Sequence, residues 1–473
     1  MAIKFGTDGW RDLIADNFTF ENVRLCSQAV ANYMKSHNIH DSGIIIGYDT
    51  RFGSKDFASA VAEVLAGNEI PVLLCDRSAP TPVVSYNLVA RECAAGVVIT
   101  ASHNPAEWNG FKFKPAYGGS ASTDIVEELE SEIEIIEKSR KYTSLVLQKG
   151  LDNGLIEMIN PEPTYLNHIA GMVSLNEIRS AGLNVVVDSM HGSGSKYLST
   201  ILEGGSTRVF EIRSDINPSF PGMIQPEPIE QNLSLLKSKI SDVNGDVGLA
   251  TDGDADRLGL VDEDSNYIST LHTFALICLH MMEGLNMKGP LVKSITMTNM
   301  INKLGEIYDV PVLDTPVGFK HLGPVMMEED AIAAGEESGG YAFRGHIPER
   351  DGILSALFIL DMMVKTGKNP SELLDHLDQK VGKHFYNRID VSFNQNQKEA
   401  IIKRVSEFAP PALAGYKVFE IDTRDGYRFV LDNESWALIR FSGTEPLLRI
   451  YAESDSQESV ETLISACRDI TEI

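Results

Sequence analysis

Ala95-Gly96-Val97-Val98-Ile99-Thr100-Ala101-Ser102-His103-Asn104-Pro105 passes from an unbroken apolar run into a polar loop within a few residues. The apolar part is too short for a helix and ends in β-branched residues, so it reads as a strand buried on both faces. Working outward, Gly43–Tyr48 is a similar run closed by Asp49, and Val72–Cys75 is another. Between and before them, Asn22–Lys35 and Asp56–Ala66 carry apolar residues at helical spacing. Strands alternating with helices predict an α/β layer with a largely parallel sheet. Ligands in such sheets collect at the C-terminal ends of strands, and Ser102 stands at one.

The pattern restarts twice. A Glu-rich helix over Thr123–Ser139 closes the first unit, and Asn153–Pro163 reads as a boundary region. Asn184–Asp188 is then a strand, followed by the turn His191–Gly194, a helix over Ser195–Leu202 and a strand over Asp246–Ala250. A third unit has helices over Thr270–Met282 and Ser355–Lys365 and a strand over Gly289–Ile295. The three units read as a degenerate repeat. Beyond residue 370 the style changes to short strands (Lys417–Ile421, Tyr427–Leu431, Ser435–Phe441) and a last helix over Ser456–Asp469, an antiparallel α+β module. The expected divisions are 1–152, 153–257, 258–370 and 371–473: three similar mixed α/β domains and a smaller α+β domain.

Composition agrees with this count. The chain has 473 residues, and at roughly 150 residues per domain three or four domains are expected. With 43% hydrophobic and 23% charged residues it is not a disordered chain. Lys and Arg total 41 against 67 Asp and Glu, a net charge of −26, which repels nucleic acid and anionic lipid. Five cysteines without CxxC spacing give no disulfide framework and no structural zinc site. No apolar run is long enough to span a membrane, and Met1–Gly6 lacks the order of a signal peptide. A cytoplasmic protein is the expectation.

Four motifs carry chemistry. Ser102 is presented on a rigid loop by Asn-Pro turn chemistry. His103 is a tempting base, but adjacent side chains on an extended loop diverge, and the Gly-x-Ser-x-Gly elbow of serine hydrolases is absent. Asp252, Asp254 and Asp256 recur at two-residue spacing in Asp252-Gly253-Asp254-Ala255-Asp256-Arg257, where three carboxylates can converge on one hard cation. An EF-hand is excluded, because Arg257 takes the place of its glycine and strands flank the loop. Gly335-Glu336-Glu337-Ser338-Gly339-Gly340 sets carboxylates and a hydroxyl between glycines, suited to vicinal hydroxyls as on a sugar. Arg440-Phe441-Ser442-Gly443-Thr444-Glu445-Pro446, with Arg449 following, can turn hydroxyls, backbone N–H groups and guanidinium onto an anion. Taken singly, each has a plainer reading: a turn, a solvated acidic loop, or a hairpin with a surface arginine.

In this order, together with Phe5–Arg11, Asn109-Gly110-Phe111-Lys112 and Thr315–Lys320, the motifs resemble the α-D-phosphohexomutase family. The resemblance covers essentially the whole chain. It implies four domains around a central cleft and reversible interconversion of glucose 1-phosphate and glucose 6-phosphate, with mannose phosphates as further substrates. The route implied is a phosphoserine enzyme and a hexose 1,6-bisphosphate that also serves as activator. Alternatives on the same scaffold are a glucose-1,6-bisphosphate synthase or a phosphoglucosamine mutase; from another class, a non-catalytic sugar- or calcium-binding protein.

By that resemblance Ser102 is the phosphorylated serine, and Asp252, Asp254 and Asp256 bind Mg²⁺ together with its phosphate. Lys112 is the proton-transfer lysine, and Arg11 and Arg257 are active-site cations. Glu336 and Ser338 bind sugar hydroxyls, and Lys320 contacts substrate. Arg440, Ser442, Gly443, Thr444 and Arg449 anchor the distal phosphate. One departure stands out: several relatives carry histidine after the sugar-loop Ser-Gly, where this chain has Gly340. Two expectations follow from charge. Arg11 should depress the Lys112 pKa so that it can serve as a base. Arg11, Lys112, Arg257, Lys320, Arg440 and Arg449 should make an electropositive cleft inside an acidic envelope. The expected partners are hexose phosphates, with neither nucleic acid nor membrane, and the chain is a monomer or homodimer.

Overall fold

The computed structural model describes residues 3–6, 8–408, 410–441 and 447–472. Four sheets follow one another along them. The first runs in the order Trp10–Leu13, Trp108–Pro115, Ala95–Ile99, Ile44–Tyr48, Val72–Cys75, Ile156–Ile159. Its inner strands pair in parallel, and Ala95–Ile99 with Trp108–Pro115 forms an antiparallel hairpin. Every residue of Ile44–Tyr48 and Ala95–Ile99 is buried, as expected of strands covered on both faces by helices. The second sheet has the order Tyr267–Ile268, Leu258–Val261, Val247–Thr251, Asn184–Asp188, Arg208–Ile212; the third, Val312–Thr315, Leu291–Ser294, Ala333–Gly335, Tyr341–Phe343.

The repeat seen in the sequence has a geometric counterpart. In each of these three sheets a strand with a parallel neighbour turns back as an antiparallel hairpin: Ala95–Ile99 into Trp108–Pro115, Val247–Thr251 into Leu258–Val261, Ala333–Gly335 into Tyr341–Phe343. The turn of each hairpin is one of the polar motifs. Ser102, Asp252–Asp256 and Glu336–Ser338 therefore occupy equivalent places in successive units.

The units end later than composition suggests. Ile156–Ile159 pairs with Val72–Cys75, so the first sheet extends past 152. Leu258–Val261 and Tyr267–Ile268 complete the second sheet beyond 257. Helix Pro370–Val381 buries Leu373, Leu377 and Val381 in the core shared with Thr270–Leu279, beyond 370. Sheet membership is set by long-range pairing, which local composition does not report.

The fourth sheet is wholly antiparallel, in the order Phe385–Ser392, Leu447–Ser454, Trp436–Phe441, Tyr427–Leu431, Tyr416–Asp422, Ala412–Leu413. Helices Lys398–Glu407 and Gln457–Thr471 bury Ile401, Val405, Val460 and Leu463 in its core. Trp436, Leu438 and Tyr451 instead pack on Ile295 of the third unit.

Helix Gly352–Thr366 is buried at every residue from Gly352 to Met363. Asp351 caps it by accepting from the Leu354 N–H at 2.8 Å, a contact that stabilises by about 1 kcal/mol. That cap also fixes Arg350, one residue earlier, at the entrance to the site. Among the described residues no helix is long and apolar enough to cross a membrane.

Candidate active site

Ser102 is buried and sits in the left-handed region, with φ 51°, a conformation that costs a non-glycine residue about 1–2 kcal/mol. Its surroundings impose it. Arg51 Nη2 donates to the carbonyls of Ser102 and Asn104 at 2.6 and 2.5 Å, and Nη1 to those of Pro105 and Trp108 at 2.7 and 3.1 Å. Asp49 lies 3.2 Å from Arg51 Nε and accepts from Thr100 Oγ1 at 2.6 Å; Thr100 Oγ1 in turn accepts from the Ser102 N–H at 2.8 Å. Arg11 donates to Asn104 Oδ1 at 2.8 Å and to the Ala101 carbonyl at 3.3 Å. The loop is thus gripped from below by one guanidinium and from the side by another.

Its hydroxyl points at the acidic loop of the second unit. Ser102 Oγ donates to Asp252 Oδ2 at 2.9 Å. The two loops are in close contact, since a Cβ at Gly253 would come within 2.5 Å of the Ser102 carbonyl oxygen. Asp252 Oδ1 accepts from the N–H groups of Asp256 and Arg257 at 3.0 and 3.2 Å. Asp254 Oδ2 accepts from Thr81 Oγ1 at 2.6 Å and from Lys112 Nζ at 2.9 Å, and Asp256 Oδ2 lies 2.8 Å from Arg350 Nη2.

The remaining oxygens make the case for a cation. Asp254 Oδ1 and Asp256 Oδ1 are buried and have no hydrogen-bond partner among the described residues. Carboxylate oxygens of Asp252, Asp254 and Asp256 come within 4.8 Å of one another. Burial, with Asp256 and Asp254 beside it, pushes the Asp252 carboxyl well above the usual carboxylate range. Burial and Asp254 likewise raise Asp256. Asp254, by contrast, is opposed by burial but held well below the usual range by Lys112 and Thr81. Two carboxylates that resist ionisation beside a third that is ionised, with oxygens this close, fit a hard divalent ion with oxygen ligands.

Lys112 differs from the expectation. It is fully buried, 2.8 Å from Asp8 Oδ2, 2.9 Å from Asp254 Oδ2 and 3.5 Å from Asp256 Oδ2. Burial lowers its pKa, but Asp254, Asp8 and Asp256 outweigh that and raise it above the usual lysine range. Arg11 does not depress it, because Arg11 is turned onto Ala101 and Asn104 while three carboxylates touch the ammonium. Lys112 stands here as a cation.

His103 also departs from the sequence reading. The left-handed turn at Ser102 swings its neighbour round, and His103 Nδ1 comes to 3.5 Å from Ser102 Oγ. Burial, together with Arg257 and Arg11, holds the imidazole well below its usual range.

These loops border a cleft of about 1240 Å³ lined from all four units. Arg11, Arg257, Lys320, Arg440 and Arg449 all line it, as do Glu336 and Ser338; Lys112 is fully buried and is not among the lining residues. Among the described residues, nine cationic side chains against seven carboxylates line this cleft, an inversion of the balance of the whole chain. Arg257 Nη1 pairs with Glu227 at 2.6 Å. Glu336 accepts from the Gly318 N–H at 2.7 Å, tying the glycine-bounded loop to Thr315–Lys320. Arg440 Nε donates to Asp425 at 2.9 Å, and Asp425 also accepts from the Val317 N–H at 3.0 Å. Ser442, Gly443 and Thr444 lie outside the described residues.

Three charged residues to which the sequence reading gives no role organise the site: Arg51 and Arg350, outside the motifs, and Asp8, within Phe5–Arg11. Arg51 carries the serine loop. Arg350 reaches Asp8 at 2.6 Å, Asp256 at 2.8 Å and Glu349 at 3.3 Å, and approaches Glu336 at 3.8 Å. Asp8 holds Lys112, Lys114 and Arg350 together; burial opposes its ionisation, but these cations keep its carboxyl well below the usual range. Lys114 also pairs with Glu349. One signal is present in the sequence: Phe111-Lys112-Phe113-Lys114 alternates within a strand, which puts both lysines on one face.

The comparisons with known proteins agree with this geometry. Residues 2–140, 163–265, 271–381 and 392–470 match, in order, the phosphoglucomutase/phosphomannomutase alpha/beta/alpha domains I, II and III and the C-terminal domain. A phosphoglucomutase/phosphomannomutase of Thermococcus kodakarensis is 30% identical over 97% of this chain and 96% of its own. A Methanosphaera stadtmanae protein named "Probable phosphoglucosamine mutase" is 31% identical over 97% and 96%. The crystal structure of a Thermus thermophilus protein assigned as a phosphomannomutase superposes with a TM-score of 0.86 at 30% identity, covering 100% of both chains. The chain belongs to the phosphoglucomutase/phosphomannomutase family of α-D-phosphohexomutases, whose members are intramolecular phosphotransferases.

Proposed function

We propose that the chain interconverts glucose 1-phosphate and glucose 6-phosphate, and mannose phosphates alongside, through a phosphorylated Ser102 and a hexose 1,6-bisphosphate. The observation that carries this reading is the 2.9 Å contact of the Ser102 hydroxyl with Asp252, beside the unpaired oxygens of Asp254 and Asp256. Asp252, Asp254 and Asp256, with the phosphate on Ser102, would hold Mg²⁺, which when bound neutralises charge on the phosphoryl oxygens.

Phosphoryl transfer asks the protein chiefly for position and charge. A free hydroxyl of the bound hexose monophosphate attacks the phosphorus, the bond to Ser102 Oγ breaks, and the proton of the attacking hydroxyl ends on Ser102 Oγ, which is a hydroxyl again. Arg11 and Arg257 face the group in transit. The resulting bisphosphate turns end over end, and Ser102 takes back the other phosphate as the freed sugar oxygen regains a proton. Glu336 and Ser338 hold ring hydroxyls in either orientation. Lys320, Arg440, Arg449 and the loop Ser442, Gly443, Thr444 hold whichever phosphate is distant. Support comes from Aspergillus fumigatus N-acetylphosphoglucosamine mutase, a protein of similar fold with structures in complex with GlcNAc-6P and magnesium and with glucose 1,6-bisphosphate.

A phosphoglucosamine mutase is the second reading, favoured by the name of the 31%-identical relative. A coupled assay across glucose, mannose and glucosamine 1-phosphates, with Mg²⁺ and the cognate bisphosphate, separates the two. The proposal expects the highest kcat/KM with glucose and a phosphate on Ser102 by mass analysis. Preference for the amino sugar selects the second reading; release of bisphosphate as the main product selects a synthase.

A further inference from the structure

Two neighbouring carboxylates leave the glycine-bounded loop in different directions. Glu336 turns to the Gly318 N–H of its own unit. Glu337 reaches the fourth: its Oε1 accepts from the Tyr386 hydroxyl at 3.1 Å, and Arg388 Nη1 lies 3.4 and 3.5 Å from its two oxygens. The Glu337 carbonyl accepts from Thr270 Oγ1 at 2.6 Å, so the loop backbone is fixed while the side chain bridges.

Arg388 does not stop there. It shares a face of strand Phe385–Ser392 with Asp390, two residues on, and donates to both its oxygens, at 2.7 and 2.8 Å. Asp390 stands directly opposite Arg449 in the register, 3.6 Å from its Nε. A continuous line of charges, Glu337 to Arg388 to Asp390 to Arg449, joins the loop at the sugar ring to an arginine at the distal phosphate.

The links of this line depend on different things. Arg388 to Asp390 lies within one strand, and Asp390 to Arg449 spans one ladder, so both travel with the fourth unit. Only the contacts to Glu337 cross from unit to unit. Beside the ordinary 3.1 Å hydrogen bond from Tyr386, the two contacts from Arg388 are long, and the Arg388 and Glu337 side chains are 32% and 18% exposed, so water can replace them at little cost. That is the character of a contact made and broken during turnover, as a site enclosing its substrate between domains requires.

We infer that Arg388 is a positioning residue for the mutase reaction: paired at once with Glu337 and Asp390, it sets the sugar loop and Arg449 at one fixed spacing when the fourth unit lies over the cleft. The inference rests on the roles proposed above for the sugar loop and the distal anchor. A bisphosphate that must be accepted in two orientations needs that spacing constant, and an error of about 1 Å costs on the order of 100-fold. Lysine has the charge but not the fork that engages two carboxylates in a plane.

The test is steady-state kinetics of full-length Glu337→Gln, Arg388→Gln, Arg388→Lys and the double variant Glu337→Gln/Arg388→Gln, with thermal melts and inhibition by inorganic phosphate. Each glutamine variant is expected to raise the KM for glucose 1-phosphate about tenfold, with the double variant no worse than either single one. Arg388→Lys is expected to recover part of the loss, and inhibition by inorganic phosphate, which probes the anion anchor alone, is expected to stay unchanged in all four. Additive losses overturn the inference, as does a lowered melting temperature with KM unchanged. Phosphate inhibition weakened as much as substrate binding would make Arg388 a direct phosphate ligand and overturn it too. A wild-type chain inactive on every hexose phosphate overturns the parent reading and this one with it; additivity in an active enzyme overturns this one alone.

Discussion

Arg51 donates to the backbone carbonyl of Ser102 at 2.6 Å, and the same guanidinium holds the carbonyls of Asn104, Pro105 and Trp108. The serine's left-handed backbone is thus imposed by a side chain fifty-one positions earlier. Arg51→Lys keeps the charge but supplies one nitrogen in place of three. The expected outcome is a fall in kcat of about 100-fold and a loss of about 2 kcal/mol in unfolding free energy. Denaturant melts and steady-state assays read both; wild-type turnover in the lysine variant would remove Arg51 from the site's machinery.

The acidic trio predicts a coupling between stability and metal. Asp252 is pushed up by burial and by Asp256 and Asp254, so in metal-free protein its negative charge is a burden. Asp252→Asn is therefore expected to melt at or above the wild-type temperature in EDTA. Added Mg²⁺ is expected to stabilise the wild type, by about 2.7 kcal/mol at a hundred times its dissociation constant, and the variant little. Equal shifts in both proteins would place the ion elsewhere.

Gly340 leaves room that Arg350 occupies. A Cβ there would stand 2.3 Å from Arg350 Cδ and 2.6 Å from Cγ. Gly340→Ala should displace the Arg350 stem and loosen its bridge between Asp8 and Asp256. A stability loss of about 1–3 kcal/mol is expected from overpacking, with kcat/KM reduced more than tenfold, about 1.4 kcal/mol or more. Unchanged kinetics would mean that the bridge is dispensable.

Away from the site, Asp361 gives a pH dependence. Its Oδ2 lies 2.8 Å from His280 Nε2 and 3.4 Å from Lys365 Nζ, and its Oδ1 accepts from the Ser174 N–H at 2.8 Å. Burial opposes ionisation, but these partners hold the carboxyl below its ordinary 3.8. A lowered folded pKa stabilises fully above the unfolded value, and the contribution is lost as pH falls through the folded one. Asp361→Asn should cost about 2 kcal/mol at pH 7, and the gap to wild type should close as pH drops below about 4. A gap that widens in acid would reverse the sign.

The sequence discloses the repeating units and three of the four loops because local chemistry alone defines them. An apolar run ending at Ile99, three aspartates two apart, and glycines around Glu336 need no knowledge of distant partners. Arg51 and Arg350, and the role of Asp8 within Phe5–Arg11, are not legible for the opposite reason: each is a charge whose burial is created by segments far along the chain. The position of Lys112 is legible but its ionisation is not, because the carboxylates that decide it come from residues 8, 254 and 256. The unit boundaries shift for a related reason, since Ile156–Ile159 and Leu258–Val261 take their sheet from long-range pairing.

On the proposed function each unit contributes one piece of the site: Ser102, then the aspartates at 252 to 256, then Glu336, then Arg440. During translation these pieces emerge from the ribosome in that order. On the proposed roles, a nascent chain carries its nucleophile hundreds of residues before it owns an anchor for the distal phosphate. If those roles hold, catalytic competence arrives only with the last sheet, and a chain truncated before it would carry the serine hydroxyl without the distal anchor.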